Sequence, residues 1–425
     1  MSAIDWDAAR SNGLHPSEPA PWPVLHEVAH HGLAGRIVSE LEPHSEADPA
    51  HMLLSLLTGF GAAVGREPHA QAGNAEHPAR FFTVVVGKTS KSRKGTSWAT
   101  VGRVLNAADS SFFRTQVLGG WGSGEAVVDA VRDRRGDDDE GVSDKRILIQ
   151  EGEFARFLKV AARDGSILSM AARNAWDGIK LEARSRASTT VATEHHICLL
   201  GHVTVEELRA RLTETDMANG FCNRMLFVLG HSSKRLPEGG NLDDEEVERL
   251  GSMVAAKLRT ARTFGRLNRS AAGIERWAEM YHEMADDDPG GLVGAVTSRD
   301  QAQTLRLSVV YALLDSSRLI EPVHLEAAFA VWSYCRASAA YIFGDSLGDE
   351  VADRLHTALR QAGETGLDLT AQSAVFARNQ SADRLKVARD HLERRGLART
   401  VEVQTDGRPR TVTYTLTKKD ECTKE

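Results

Sequence analysis

The chain has 425 residues, enough for two or three domains with sizeable cores. Hydrophobic residues make up 41% and charged residues 26%, ordinary for a soluble globular protein, and no apolar run approaches the roughly 18 residues a membrane span requires. The net charge of -7 is unevenly spread: Arg378 to Lys419 holds 11 Lys/Arg against 5 Asp/Glu, a basic tail on an acidic body.

Cys198, Cys222, Cys335 and Cys422 stand at neither zinc nor disulfide spacing, which points to a reducing compartment. The N-terminus lacks the basic start and apolar run of a signal peptide, so a cytoplasmic protein without membrane contact is expected. Residues 1–23, rich in Pro, Ser and Ala, read as an irregular arm within an N-terminal segment 1–48.

From Pro49 to Val64 apolar residues recur at helical spacing. A β-branched strand at Phe81–Val86 runs into "VGKTSKSRKGTSW", a loop opening a helix from about Thr96 to Ala107. Strand, basic Gly-containing loop and helix are the layout of a phosphate-binding loop, which needs inward N–H groups, a lysine for the terminal phosphates and a hydroxyl for Mg²⁺. Gly87 provides the turn, and Lys91, Arg93, Lys94, Gly95, Thr96 and Ser97 are the candidate contacts. Among the lysines, Lys94 alone precedes the small and hydroxyl residues that open the helix, and Thr96 or Ser97 supplies the metal ligand. The loop is one residue longer than the usual spacing, and a basic surface loop is the competing reading.

Glu125–Arg135 reads as a helix and "GDDDEGVSDKR" as a solvated loop or hairpin. The strand "RILIQ" then ends in Glu151 and Glu153. Nucleotide hydrolysis requires an acidic group at the carboxyl end of a strand beside the phosphate-loop strand. Glu151 is the preferred catalytic carboxylate and a metal ligand with Thr96; Glu153 is the alternative, and Gln150 stands where an aspartate is usual. Further strands are expected at His196–Val203, ending in Gly201-His202, and at Asn223–Gly230, entered through "ANGFCNR". Arg224 in that turn reads as a finger completing a neighbouring subunit's site or as a structural arginine. Short apolar strands alternating with helices give an α/β core with a mostly parallel sheet over 49–235.

Glu245 to about Phe343 reads as helical almost throughout, giving a helical lid or bundle over 236–345. Arg306 there reads as a surface arginine or a second nucleotide sensor, and Trp332 and Tyr334 as core. The pairs His30-His31 and His195-His196 lack metal spacing. Residues 346–420 show three helices and two alternating strands, the pattern of a winged helix. Arg384, Lys386, Arg389, Arg394 and Arg395 on its third helix, with Arg408 and Arg410 at the wing, point to DNA, or the module binds protein.

The stretches "VGKTSKSRKGTSW", "LIQEGEFARFL", "RNAWDG", "LLGHVTVEEL" and "ANGFCNRMLFV" jointly resemble a family of P-loop ATPases found beside or fused to primase-polymerase domains in plasmids, phages and integrated elements, similar to RecA-type replicative helicases of the RepA kind. The resemblance covers roughly residues 50–345. It implies a RecA/AAA-like core, ATP and Mg²⁺, a homo-oligomeric ring acting on DNA, and a primase-polymerase on a separate polypeptide. It also implies that Lys94 and Thr96 match the P-loop, Glu151 the acidic strand end, and Arg224 the arginine of its turn. In RecA-like and AAA-like ATPases a polar group at a strand tip senses the γ-phosphate; His202 reads as that sensor or, equally, as a satisfied loop histidine. The expected function is thus an ATP-dependent, helicase-like motor. The alternative is an ATP-binding oligomeric switch or scaffold, as in phage defence.

Overall fold

The computed structural model describes residues 21–88, 93–136, 138–184, 189–212, 219–287, 289–344, 350–394, 397–404 and 409–415. They fall into two compact units that divide between Ile342 and Phe343.

In the larger unit, α1 (Gly32–Leu41) leads to α2 (Pro49–Val64), which Asp48 caps by accepting from the Ala50 N–H at 2.9 Å. A hairpin of β1 (His69–Ala72) and β2 (Ala75–Pro78) precedes β3 (Phe82–Gly87) and α3 (Lys94–Ala108). Then come α4 (Ser110–Thr115), β4 (Val117–Leu118), α5 (Gly124–Asp129), β5 (Arg146–Glu151), α6 (Phe154–Ala161) and α7 (Leu168–Asp177). A second hairpin, β6 (Leu181–Arg184) and β7 (Thr189–Ala192), leads to β8 (His196–Thr204), α8 (Val205–Arg211) and β9 (Met225–Gly230). Thr204 and Glu207 form a capping box that starts α8 where β8 ends.

The remainder of this unit comprises α9 (Asp244–Ala261), β10 (Arg266–Arg269), α10 (Ala271–Asp286), α11 (Gly291–Thr297), α12 (Asp300–Leu314), β11 (Leu319–Ile320) and α13 (Pro322–Phe343). The segment expected to be helical throughout therefore contains two short strands. They pair in parallel with each other, and β10 pairs in parallel with β1, giving a four-stranded sheet in the order β11-β10-β1-β2. Strands of two to four residues carry no readable alternation, and only long-range pairing creates them.

The central sheet has five strands in the order β4-β5-β8-β3-β9, every neighbouring pair parallel. The protein is thus a mixed α/β fold around a mostly parallel sheet. Val84, Val85 and Val86 of β3 are wholly buried, as a strand covered on both faces requires. One face rests on α2, which is apolar on all sides and buried along nearly its whole length. Gly59 and Gly61 let α2 approach its neighbours closely: a Cβ at Gly59 would lie 2.4 Å from Leu105 Cδ1 of α3, and one at Gly61 2.3 Å from the Ala79 carbonyl oxygen just before β3. Residues of α1, α3, α9, α12 and α13 join the same core, so residues 236–342 pack in one unit with the sheet. Trp332 and Tyr334 are buried there, and the Tyr334 hydroxyl donates to the Leu229 carbonyl.

The smaller unit has α14 (Glu350–Ala362), β12 (Leu367–Asp368), α15 (Leu369–Val375), α16 (Ala382–Arg394), β13 (Ala398–Val403) and β14 (Arg410–Thr415). Its strands form an antiparallel sheet in the order β12-β14-β13, and Leu355, Leu359, Leu385, Ala388 and Leu392 build its own core. Three helices and a hairpin match the sequence pattern; β12 is an addition. No helix among the described residues is long and apolar enough to cross a membrane.

Candidate functional site

Because all five central strands run the same way, their carboxyl ends share one edge, the usual ligand edge of such a sheet. Gly87 closes β3 there, opposite Thr204 of β8 and Gly230 of β9. Lys91 lies outside the described residues. Arg93, at φ 52°, takes the left-handed turn that admits α3, and its side chain pairs with Glu46. Lys94 is then the first residue of α3, so it stands with the unsatisfied N–H groups of the helix start.

Burial pulls the Lys94 pKa below the usual lysine value, and Glu207 at the start of α8 pulls the other way. A Cβ at Gly95 would meet nothing within 4 Å, and its backbone is not left-handed. Neither packing nor φ demands a glycine there, whereas close approach of a phosphate would. The two hydroxyls are not equivalent. Ser97 is wholly buried and its Oγ donates to the Lys94 carbonyl at 2.7 Å. Thr96 is partly exposed.

Two buried histidines stand in the field of Lys94. His202 of β8 is 3% exposed, and burial drives its pKa down to about 4, with His51 and Lys94 adding to the shift. Its Nε2 has no hydrogen-bond partner among the described residues. His51 of α2, also buried, donates from Nε2 to the Val228 carbonyl at 3.1 Å. Burial lowers its pKa too, opposed by Asp48. Asp48 in turn accepts from the His231 N–H at 3.1 Å, fixing the exit of β9 beside β3. Lys94, His202, His51 and Glu207 thus share one electrostatic neighbourhood.

Glu151 ends β5, but β5 does not neighbour β3: β8 lies between them. The expectation of an acidic strand directly beside the loop strand is corrected accordingly. Glu151 pairs in register with Gly201, which pairs with Val84, so it stands three residues short of Gly87. Alternation places Glu151 on the sheet face opposite His202. Its side chain is buried at 4% exposure, and Oε1 accepts from the Trp121 N–H at 3.0 Å. That contact comes from the glycine-rich turn "GGWGSG" after β4, which sequence reading passed over. Gly119 brings the turn down onto β5, since a Cβ there would lie 2.4 Å from the Gln150 carbonyl oxygen. Glu153 is exposed and precedes α6 without capping it.

Arg224 lies elsewhere. It precedes Met225, which pairs with Phe82 at the start of β3, so it stands at the amino edge of the sheet. Its guanidinium forks onto Asp177, Nη2 to Oδ2 at 2.7 Å and Nε to Oδ1 at 3.3 Å, and Nη1 donates to the Gly220 carbonyl. Within one chain it does not meet Lys94. Arg306 also belongs to this edge: it is buried, donates to the carbonyls of Arg80 and Trp176 at 3.0 Å each, and lies 3.5 Å from the Trp176 ring centre. The surface-arginine and nucleotide-sensor readings of Arg306 are both corrected. Burial lowers the pKa of Arg306 and brings that of Arg80, bonded to the Trp176 and His195 carbonyls, to about 10.

His31, Asp315 and His324 bring candidate ligand atoms within 4.8 Å of one another, a convergence across 284 residues that spacing could not reveal. Yet His324 Nδ1 accepts from the Glu321 N–H at 3.0 Å. In a neutral ring that leaves Nε2 as the donor, 3.1 Å from Asp315 Oδ2, with no lone pair for a metal. His195 and His196 are buried and donate to the Ile179 and Gly61 carbonyls.

No protein-family model matches the chain, and no curated protein matches it.

In the smaller unit Lys386 and Arg394 on α16 are exposed, and Arg410 lies 3.9 Å from Asp368. Arg389 donates to Gln372 Oε1 at 2.9 Å. Arg395 and Arg408 lie outside the described residues.

Proposed function

We propose that the protein is an ATP-dependent, ring-forming motor on DNA, with a RecA/AAA-like core and a winged-helix tail. The observation that carries the nucleotide reading is the meeting, at the carboxyl edge of a parallel sheet, of the α3 N-terminus, Lys94 and the spare room above Gly95. Lys94 and the first N–H groups of α3 bind the terminal phosphates. Thr96 and Glu151 are oxygen donors of the kind Mg²⁺ takes, and the ion supplies charge neutralisation on the phosphates. Glu151, held by the Trp121 N–H, orients the attacking water and accepts its proton. His202, neutral and with an unsatisfied Nε2, responds to the γ-phosphate. The exposed Lys386 and Arg394 of α16 meet DNA phosphates.

One observation favours the second reading, an ATP-binding switch or scaffold with weak turnover. Arg224 is locked onto Asp177 within its own chain, so it is not poised to complete a neighbour's site. Steady-state ATP hydrolysis with and without single-stranded DNA, beside Glu151→Gln, separates the two. The motor reading expects stimulation by DNA and at least a hundredfold loss in Glu151→Gln with ATP binding kept. Hydrolysis that is absent or indifferent to both DNA and Glu151→Gln rejects it.

A further inference from the structure

The four residues that enter α2, Ser45 to Asp48, are bonded to two elements of the carboxyl edge at once. On one side they hold the exit of β9. Asp48 accepts from the His231 N–H at 3.1 Å, and the Glu46 carbonyl accepts from the Ser233 N–H at 3.1 Å and the Ser232 hydroxyl at 3.2 Å. On the other side they hold the first turns of α3. Ser45, buried, accepts from the Ala47 N–H at 3.2 Å, and its Oγ lies 3.3 Å from Thr100 Oγ1. The Thr100 hydroxyl donates to the Thr96 carbonyl at 2.9 Å. Each hydroxyl has one proton, so Ser45 is the donor to Thr100 and the chain runs in one direction from Ala47 to Thr96.

The Glu46 side chain joins the two sides. It is 16% exposed, Oε1 accepts from the Leu236 N–H at 2.8 Å, and Oε2 takes the Arg93 Nε–H. Arg93 is the residue whose backbone is left-handed, at φ 52°. A Cβ disfavours that conformation, and it persists where the surroundings fix it. The Thr96 N–H donates to the Arg93 carbonyl at 3.0 Å, so the turn at Arg93 sets the direction of the first N–H groups of α3 and the place of Lys94.

Sequence alone makes Arg93 a candidate phosphate contact. Its guanidinium, however, already holds a carboxylate that a phosphate would have to displace. An unneutralised Glu46 beside the helix start would also repel the phosphate.

We infer that Glu46 is a positioning residue of the nucleotide site: through Arg93 it fixes the left-handed turn that aims the first N–H groups of α3 and places Lys94. Arg93 then holds the loop and does not touch phosphate. The inference rests on the nucleotide reading of the Lys94 edge.

The test is calorimetric titration of the full chain with a non-hydrolysable ATP analogue and Mg²⁺, for the unmutated protein, Glu46→Gln, Arg93→Gly and the double variant. Glutamine keeps an acceptor for the Leu236 N–H and removes the charge. Glycine takes the left-handed turn unaided but leaves it unpinned. Each single variant is expected to bind about three- to tenfold more weakly. The double variant is expected to bind no more weakly than Arg93→Gly, because both changes break one connection. The Arg93 side chain is 55% exposed, so the melting temperature of each variant should stay within about 2 °C.

Tighter binding by Glu46→Gln would overturn the inference, since it would mean that Arg93, once released, reaches the phosphate. Unchanged affinity in Glu46→Gln would overturn it too, as would a loss in the double variant equal to the product of the single losses. Lys94→Ala separates this failure from that of the nucleotide reading. Weaker binding in Lys94→Ala with unchanged binding in Glu46→Gln removes the inference alone. No binding by the unmutated chain removes the nucleotide reading, and the inference with it.

Discussion

Replacing Gly95 by alanine pits two physical effects against each other. The added Cβ meets nothing within 4 Å, and the backbone is not left-handed, so no steric cost arises in the protein itself. Alanine in the first turn of α3 also loses less backbone entropy than glycine, a gain of roughly 0.5–1 kcal/mol. For the unit from Trp22 to Ile342, at an unfolding entropy of about 2 cal/mol/K per residue, that raises Tm by about 1 °C. A phosphate cradled at the helix start needs the space the methyl group would occupy. Losing one or two of its N–H contacts costs about 1.4–2.8 kcal/mol, a ten- to hundredfold weaker nucleotide affinity. The paired assays are calorimetric titration with a non-hydrolysable ATP analogue and thermal unfolding without nucleotide. Gly95→Ala is expected to bind more weakly while melting no lower. Unchanged affinity with raised Tm would refute the cradle and leave a basic loop that merely tolerates glycine.

Asp177→Asn and Arg224→Ala test the amino edge by urea or thermal unfolding. Arg224 is buried but the Asp177 side chain is 27% exposed, so removing one partner costs about 1–3 kcal/mol, and Asp177→Asn is expected at the upper end, since it takes the carboxylate from both Arg224 and Arg299. Arg224→Ala is milder, because Arg299 already stands 3.6 Å from Asp177; an Arg224→Ala protein of unaltered stability that has lost all turnover would show a finger instead. Acid should destabilise the fold early. Burial brings His195 and His202 to about 4 from an ordinary 6.5, so the unfolded chain binds more protons between those values. Their contribution is complete above pH 6.5 and falls by about 3 kcal/mol each as pH drops to about 4. His202→Asn should flatten that slope in pH-dependent unfolding, and a slope the same as in the unmutated protein would contradict its burial as a neutral ring.

The elements that position the candidate site were legible because each carries its own local signal. The helix at Pro49–Val64 is apolar on every side, β3 is a β-branched run, and the basic loop ends where hydroxyl residues open α3. The tail was equally plain, with its helices spaced by glycine and its hairpin by alternation. What the sequence concealed depends on distance along the chain. The insertion of β8 between β5 and β3 moves Glu151 one strand away from the loop, and no local pattern encodes strand order. The Arg224–Asp177 fork joins residues 47 apart, and Arg306 reaches Arg80 across 226. An arginine beside a turn looks the same in sequence whether it awaits a phosphate or is already bonded to carbonyls. The Gly119 turn over Glu151 did leave a trace in "GGWGSG", where four glycines in six residues exceed what a simple loop needs.

Lys94 bears the central claim most directly. Titration of the full chain with a non-hydrolysable ATP analogue in the presence of Mg²⁺, for the unmutated protein and for Lys94→Ala, measures whether the carboxyl edge holds phosphate. The account predicts saturable one-to-one binding that falls at least tenfold in Lys94→Ala, with the melting temperature without nucleotide unchanged within about 2 °C. Equal affinity in the two proteins, or no binding by either, would contradict it.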